Sequence, residues 1–113
     1  MEESILNTIK KLIGLDAEYT DFDADIIIHI NSALSVLRQL GVGPESGFRI
    51  QSAAETWSQF LDDMSHYEEV KDYIYLKVKI LFDDMPSNTL AALKEQLAEF
   101  EWRVATTAEL TKH

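Results

Sequence analysis

Cysteine is missing from this sequence, and long hydrophobic runs are missing as well. Without cysteine, the 113 residues can form no disulfide scaffold, thiolate zinc site, iron–sulfur cluster or catalytic thiol. Compact apolar runs such as Ile26–Ile28 are far shorter than the ~18 residues that a membrane span needs. Met1–Glu3 is acidic, whereas a secretory signal begins with basic residues. We therefore expect a soluble protein that is made in the cytoplasm and does not associate with a membrane.

Basic residues are scarce: ten Lys and Arg stand against twenty Asp and Glu, for a net charge of −10. Residues 1–57 carry nine acids and four bases, and residues 58–113 carry eleven acids and six bases, so each half is −5. Nucleic-acid binding needs a Lys/Arg footprint that neutralises phosphates. We therefore expect no sequence-specific nucleic-acid binding. Two interpretations of the acidity remain: solubility through self-repulsion, or a negative surface that meets basic partners or lines a passage without binding DNA.

Apolar residues make up 46% of the chain and recur at helical spacing in five segments. The length allows one domain, and we expect an all-α fold: a small bundle of four to five helices within residues 1–105, followed by a frayed tail over 106–113. A loop at about 41–52 holds three of the four glycines and one of the two prolines, with a brief extended piece near Ile50. The predicted helices are 5–13, Asp21 or Asp23 to Leu40, Ala53–Asp63, His66–Asp83, and Ser87 or Asn88 to about Thr106.

Two of these helices carry more specific signals. Thr20 and Asp23 resemble a capping box at the start of the second helix. The fourth helix is apolar most of the way around, which predicts that it lies at the centre of the bundle. The last helix shows a heptad-like seam that is too short for a coiled coil; its members are Leu90, Leu93, Leu97, Phe100 and Val104.

The strongest candidate for a metal site is a possible calcium loop, with Asp21, Asp23 and Asp25 at its first, third and fifth positions. An EF-hand loop also needs glycine at position 6 and a bidentate glutamate at position 12. Those positions are Ile26 and Ser32. We therefore interpret the three acids as first-turn residues that complement the positive end of a helix.

Other arrangements that could support catalysis or metal binding are also incomplete. The three histidines, His29, His66 and His113, are too far apart in sequence to indicate a metal site. The acid pairs Asp62–Asp63 and Asp83–Asp84 fall at predicted helix ends, where carboxylates are normally solvated. No G-x-S-x-G pattern and no phosphate-binding glycine loop occurs. We expect no catalytic residue, metal or cofactor, and hence no enzyme.

Large residues on predicted polar faces are the remaining signal. Ile28, Tyr75 and Trp102 lie off the apolar stripes of their helices. Tryptophan and tyrosine are enriched at interface hot spots, which favours an interaction module. They can equally cover the core of a small protein that has little apolar surface to spare.

The order of sequence blocks resembles the small head–tail connector (adaptor) proteins of tailed phages and of prophages in Gram-positive bacteria. No block is specific alone, and the resemblance lies in their co-occurrence along most of the chain. The blocks are Ile5–Gly14, Tyr19–Ile27, His29–Asn31, Gln39–Pro44, Val70–Val78, Leu81–Asp83 and Phe100–Arg103.

The resemblance implies a helical protein that assembles as a ring below the portal and extends the DNA channel towards the tail. It implies the portal and the next head-completion or stopper protein as partners, a location at the head–tail junction of the virion, and no catalytic residues. A ring subunit needs two different side surfaces, for which Ile28, Tyr75 and Trp102 are candidates. Phe48, in the 41–52 loop, and Arg103, where the C-terminal segment begins, lie in the parts expected to order on docking.

Two other function classes fit the sequence less well. A regulatory module of prophage origin that mimics DNA would need acids along one face at phosphate-like spacing, whereas these acids are scattered over helix ends and several faces. An acyl-carrier or metal-binding helical protein would need an Asp-Ser-Leu attachment signature or a ligand set, and the sequence has neither.

Overall fold

A computed structural model describes residues 3–61, 66–82 and 86–111. Over these ranges the chain forms five helices and no β-strand, which confirms the expected all-α bundle. One isolated antiparallel bridge joins Ser4 to Thr56. The helices are α1 (Ile5–Leu12), α2 (Asp23–Gln39), α3 (Trp57–Phe60), α4 (Tyr67–Phe82) and α5 (Ser87–Thr111).

The first helix begins at a side-chain cap and ends at a glycine. The Ser4 hydroxyl accepts the backbone N–H of Asn7 at 3.2 Å and so satisfies a donor that has no partner within the helix. Gly14 follows the helix with φ of +90°, a left-handed conformation that ends helices and that glycine adopts without strain. The predicted stop at Gly14 is therefore confirmed.

The predicted capping box at the start of α2 is wrong. The N-cap residue is Phe22, which forms no side-chain capping bond. The Asp23 carboxylate instead lies 2.8 Å from Nζ of Lys10, a fully buried lysine that also donates to the carbonyl of Ala17 at 2.9 Å. The Asp23 carboxylate, which the sequence pattern predicted to cap the helix, therefore forms an ion pair with Lys10 instead. Through its contacts with Ala17 and Asp23, Lys10 connects α1 to the following segment and to α2.

The loop over residues 41–52 is present, but it contains no strand near Phe48 and Ile50. Ile50 is fully buried, and the side-chain amide of Asn31 on α2 forms hydrogen bonds with both of its backbone polar groups. Asn31 Oδ1 accepts the Ile50 N–H at 2.8 Å, and Asn31 Nδ2 donates to the Ile50 carbonyl at 2.9 Å. A side chain therefore replaces the ladder partner that a strand would have had.

Gly43 in this loop has φ of +87°, and a Cβ added there would lie 2.5 Å from the Phe60 ring. Glycine is required at this position for both reasons.

The third helix is much shorter than predicted. It begins only at Trp57, because the preceding segment is held in a turn by Glu55, whose carboxylate accepts the N–H groups of Gln51 and Ser52 at 2.9 and 3.3 Å. The Trp57 indole is buried and donates to the Thr8 hydroxyl at 3.0 Å. The predicted end at Asp63 lies outside the described residues.

The fourth helix is central, as its all-round apolar pattern predicted. It packs against α1, α2 and α5, and it buries Val70, Tyr73, Ile74, Leu76 and Val78. Its predicted end at Asp83 lies outside the described residues.

The last helix follows Pro86 and packs against α4 along the predicted seam. Leu97 and Phe100 are partly buried against the core, and Val104 is buried. The helix continues to Thr111, so its predicted end near Thr106 was placed too early. The last two residues of the expected tail lie outside the described residues.

Candidate interaction surface

The positions considered for metal or catalytic chemistry are only partly covered by the described residues. Asp23 and Asp25 lie in the first turn of α2, as the helix-end interpretation expected, whereas Asp21 precedes the helix. No group of three or more His, Asp or Glu side chains comes together to hold a metal ion within the part of the chain that the structure describes. Over the same residues, no helix is both long and apolar enough to cross a membrane. His113 and the pairs Asp62–Asp63 and Asp83–Asp84 lie outside the described residues.

Among the side chains that the structure describes, Ile28 and Trp102 are the most exposed of the large apolar ones. Ile28, on α2, is 63% exposed, and Trp102, on α5, is 68% exposed. Each lies on a helix whose opposite face packs against α4. These two candidates are therefore open to solvent and available to a partner.

Tyr75 and Phe48 are placed differently, since both are half-buried and pack against the core. Lys79 Nζ lies 5.9 Å from the centroid of the Tyr75 ring. The Phe48 ring, which belongs to the 41–52 loop, lies 5.3 Å from the Phe60 ring, measured between centroids. In these two cases the side chain covers the core.

Arg103 is exposed but engaged along its own helix. Its Nη2 donates to Glu99 Oε1 at 2.8 Å, and its guanidinium lies 5.1 Å from the centroid of the Phe100 ring. An exposed pair one helical turn apart contributes only about 0.3–0.5 kcal/mol. A partner with a better-placed carboxylate could therefore displace Glu99.

An exposed aromatic cluster near the start of α2 was missed from the sequence. The Tyr19 and Phe22 rings lie 5.7 Å apart edge to face, and Phe22 lies 5.4 Å from Phe82 at the end of α4. Tyr19 and Phe22 are 42% and 40% exposed. The available signal was the presence of two aromatic residues in a non-helical stretch crowded with acids.

We call residues 16–25 the acidic–aromatic segment. It combines the exposed rings of Tyr19 and Phe22 with four exposed carboxylates, those of Asp16, Glu18, Asp21 and Asp25.

A groove beside the C-terminal half of α2 collects two of the chain's three arginines. Its volume is about 370 Å³, and it is lined by Arg38 and Ser35 of α2 and by Ser46, Phe48 and Arg49 of the 41–52 loop. We call it the arginine groove. The two arginines are eleven positions apart in sequence, and only the folding of the loop against α2 brings them to one groove, so helical spacing could not reveal it.

The positive charge of the arginine groove is not neutralised from within. Arg38 Nε donates to the carbonyl of Glu45 at 2.9 Å, a neutral acceptor. Neither Arg38 nor Arg49 forms an ion pair with a carboxylate of the described chain. In a protein of net charge −10, this groove is a local positive site.

A second groove of similar volume, between α1 and α4, has a different electrostatic character. It is lined by Glu3, Lys11, Tyr67 and Lys71 among others. Lys71 is paired with Glu68 at 2.8 Å. The hydrogen bond that Lys71 donates to Glu68 raises the pKa of Lys71 and outweighs the opposing effect of burial. This groove therefore holds its own counter-charge.

The fold is thus a helical bundle that carries separate exposed apolar and charged surfaces. A family model described as phage connector protein matches residues 5–111. The chain belongs to the phage connector protein family. Comparison with curated proteins and with solved structures gives no match. Membership confirms the resemblance and gives this connector a structural role in a phage particle, in contact with other head or tail proteins.

Proposed function

We propose that this connector forms a ring below the portal, extends the DNA channel and docks the next head-completion or stopper protein at the head–tail junction of the virion. The observation that carries the proposal is the family match, which spans residues 5–111 and therefore nearly the whole chain. The role is structural, with no catalytic residue, metal or cofactor. The protein is made in the cytoplasm of the bacterial host, including from a prophage.

The charge of the connector supports a place along the DNA path. A channel that DNA must traverse cannot hold phosphates tightly, and tight binding requires clustered lysine and arginine. Twenty acids against ten bases make the subunit repel DNA on average. The acidity therefore suits a channel wall and opposes adhesion during genome passage.

The exposed apolar residues support contacts with more than one neighbour. A subunit of a ring meets its two neighbours through two different surfaces, and it must also meet the portal and the next component. Ile28 and Trp102 lie on different helices, α2 and α5, and are both largely exposed. Large side chains of this kind contribute much of the binding energy of an interface once a partner covers them.

Electron microscopy of the purified protein, alone and mixed with portal rings, tests the proposal. We expect rings, or an added layer of density on the portal. A monomer that leaves portal rings unchanged and binds tightly to a basic host protein would contradict it and would favour the DNA-mimic class.

Matched variants make the test specific to the exposed anchors. Trp102→Ala and Ile28→Ala should each lower the occupancy of the layer on the portal. Glu95→Ala, at an exposed position on α5, should leave it unchanged. Equal occupancy for all three variants would remove these anchors from the interface.

A further inference from the structure

We propose that neighbouring copies of this connector join through a heterologous contact in which the arginine groove of one copy receives the acidic–aromatic segment of the next. The inference rests on the proposed ring and names its subunit contact. It begins from the charges: two arginines without ionic partners in the described chain line one groove of a strongly acidic protein.

The chemistry of the groove favours a carboxylate-bearing ligand. Arg49 is exposed and forms no hydrogen bond or ion pair within the described residues, so its guanidinium donors are available. Arg38 is fixed by its bond to the Glu45 carbonyl through Nε, which leaves its terminal nitrogens to bind. Guanidinium groups bind carboxylates through paired, charge-assisted hydrogen bonds. Ser35 and Ser46 add hydroxyls to the same lining.

The acidic–aromatic segment supplies the matching chemistry. Its four exposed carboxylates flank the exposed rings of Tyr19 and Phe22. Aromatic side chains and arginine are the residue types enriched in interface cores, and the Phe48 ring in the groove offers an apolar surface beside the two arginines. The segment therefore matches the groove in charge and in apolar character.

The position of the two surfaces requires that they belong to different copies. The acidic–aromatic segment precedes and begins α2, whereas Arg38 lies in its last turn. With a rise of 1.5 Å per residue, they are separated by about 20 Å along the helix. One copy therefore cannot fill its own groove. A contact between unlike surfaces of identical subunits is head to tail, and it generates a ring when the rotation between subunits closes.

A second copy is favoured over an acidic segment of the portal because both halves of the contact are present on this one chain. Each subunit of a ring then offers one groove and one segment, which leaves neither surface unused. A portal segment in the groove is a distinct outcome of the test below.

The absence of native cysteine allows the contact to be mapped by site-directed crosslinking. Ser46→Cys marks the groove, Glu18→Cys marks the segment, and Glu95→Cys on α5 serves as the exposed control. Pairs of variants are mixed with a short bis-maleimide reagent, both at high concentration in solution and on portal rings. We expect the Ser46→Cys and Glu18→Cys mixture to crosslink at least about tenfold more than either variant alone or than either variant with the control, as expected for a defined contact.

Charge reversal tests the electrostatic part with a matched control. Arg49→Glu in the groove copy should lower the crosslink about tenfold, because like charges placed opposite each other oppose association. Lys94→Glu makes the same change of net charge at an exposed site on α5 and should leave the yield unchanged. When the segment copy carries both Asp21→Lys and Asp25→Lys, its crosslinking yield with the Arg49→Glu groove copy should return to the original level.

Each outcome separates this inference from the proposed function. A layer on the portal without the preferred crosslink overturns the contact and leaves the connector role intact. The crosslink without any layer on the portal supports the contact and contradicts the connector role. A crosslink from Ser46→Cys to the portal in place of Glu18→Cys overturns the self-contact in favour of a portal segment.

Discussion

The core formed by α1, α2 and α4 and the long helix α5 differ sharply in how they are held. The 17-residue α2 buries six side chains, including Ile26, Ile30 and Leu34. In the 25-residue α5, Val104 is the only buried residue among the described side chains. Apolar burial stabilises by about 25 cal/mol per Å², so stability is concentrated in the three-helix core. The α5 helix is therefore attached by one face, and the rest of its described surface, including Trp102, is exposed.

Polar contacts repeat this contrast. The core contains a fully buried Lys10 paired with Asp23, and an Asn31 side chain that satisfies both backbone groups of Ile50. Between α4 and α5, within the residues that the structure describes, the Tyr73 hydroxyl donates to Glu101 at 3.0 Å. Perturbations of the core should therefore cost more than perturbations at the α4–α5 contact.

The largest effect is expected inside α2, where two isoleucines differ only in burial. Ile30→Ala should lower the free energy of unfolding by about 3–4 kcal/mol, because it removes a fully buried side chain and leaves a cavity. Ile28→Ala, at a largely exposed position in the same helix, should change it by less than about 0.5 kcal/mol. Urea denaturation measures both, and equal losses for the two variants would contradict the assignment of faces.

A smaller loss of stability is expected when the two hydrogen bonds between Asn31 and the Ile50 backbone are removed. Asn31→Ala should cost about 2–3 kcal/mol, because the N–H and carbonyl of buried Ile50 then lose their partners. Ser32→Ala, one position along and exposed, is the control and should have little effect. Unchanged hydrogen exchange of the Ile50 amide in Asn31→Ala would show that these two hydrogen bonds are not needed to keep the loop in place.

At the α5 contact, truncation of the buried valine should cost less than truncation in α2. Val104→Ala should lower the free energy of unfolding by about 1–2 kcal/mol, since fewer methyl groups leave and α5 packs on one side only. Arg103→Ala, at the neighbouring exposed position, is the control and should cost about 0.5 kcal/mol or less. A Val104→Ala loss equal to that of Ile30→Ala would show that α5 belongs to the cooperative core.

The smallest effect is expected for the hydroxyl that links α4 to α5. Tyr73→Phe should cost about 1 kcal/mol near neutral pH, the net value of one hydrogen bond. Burial, followed by the hydrogen bond to Glu101 and its charge, raises the pKa of Tyr73 above its ordinary value of 10.0.

This pKa shift gives the link a distinctive pH dependence. Because the folded state keeps the Tyr73 proton to higher pH than the unfolded state, the contribution is fully present below about pH 10 and is lost as the pH rises above it. Between about pH 9 and about pH 11, the wild type should therefore lose more stability than Tyr73→Phe. Parallel denaturation profiles over that range would contradict the role of this hydroxyl.

Most of the fold follows from local patterns. Helical periodicity and the glycines at 14 and 41 delimit α1 and α2, because a helix end needs only residues close in sequence. Ile28 and Trp102 were singled out because they lie off the apolar stripes of their helices, and both are exposed. The start of α3 was predicted too early, at Ala53, because the segment before Trp57 forms a turn in which the Glu55 carboxylate accepts the N–H groups of Gln51 and Ser52.

The candidate surfaces were only partly accessible from the sequence. Tyr75 was singled out as lying off the apolar stripe of its helix, and Phe48 as part of a loop expected to order on docking, yet both pack against the core. The arginine groove and the stack of Phe22 on Phe82 join residues from separate elements. No spacing rule within one helix reaches such pairs, since their proximity depends on how the elements pack.

By itself, the sequence determined that this protein is acidic, cysteine-free and all-helical, because charge follows from composition and helical periodicity involves only residues a few positions apart. Its sequence blocks also pointed to the connector family. The tertiary structure decided which charges meet and which remain free. Asp23 is taken by Lys10 in place of a local cap, while Arg38 and Arg49 come together without an ionic partner in the described chain. Such pairings depend on packing between elements distant in sequence, because electrostatic and apolar contacts act over a few ångströms in space, whatever the separation along the chain.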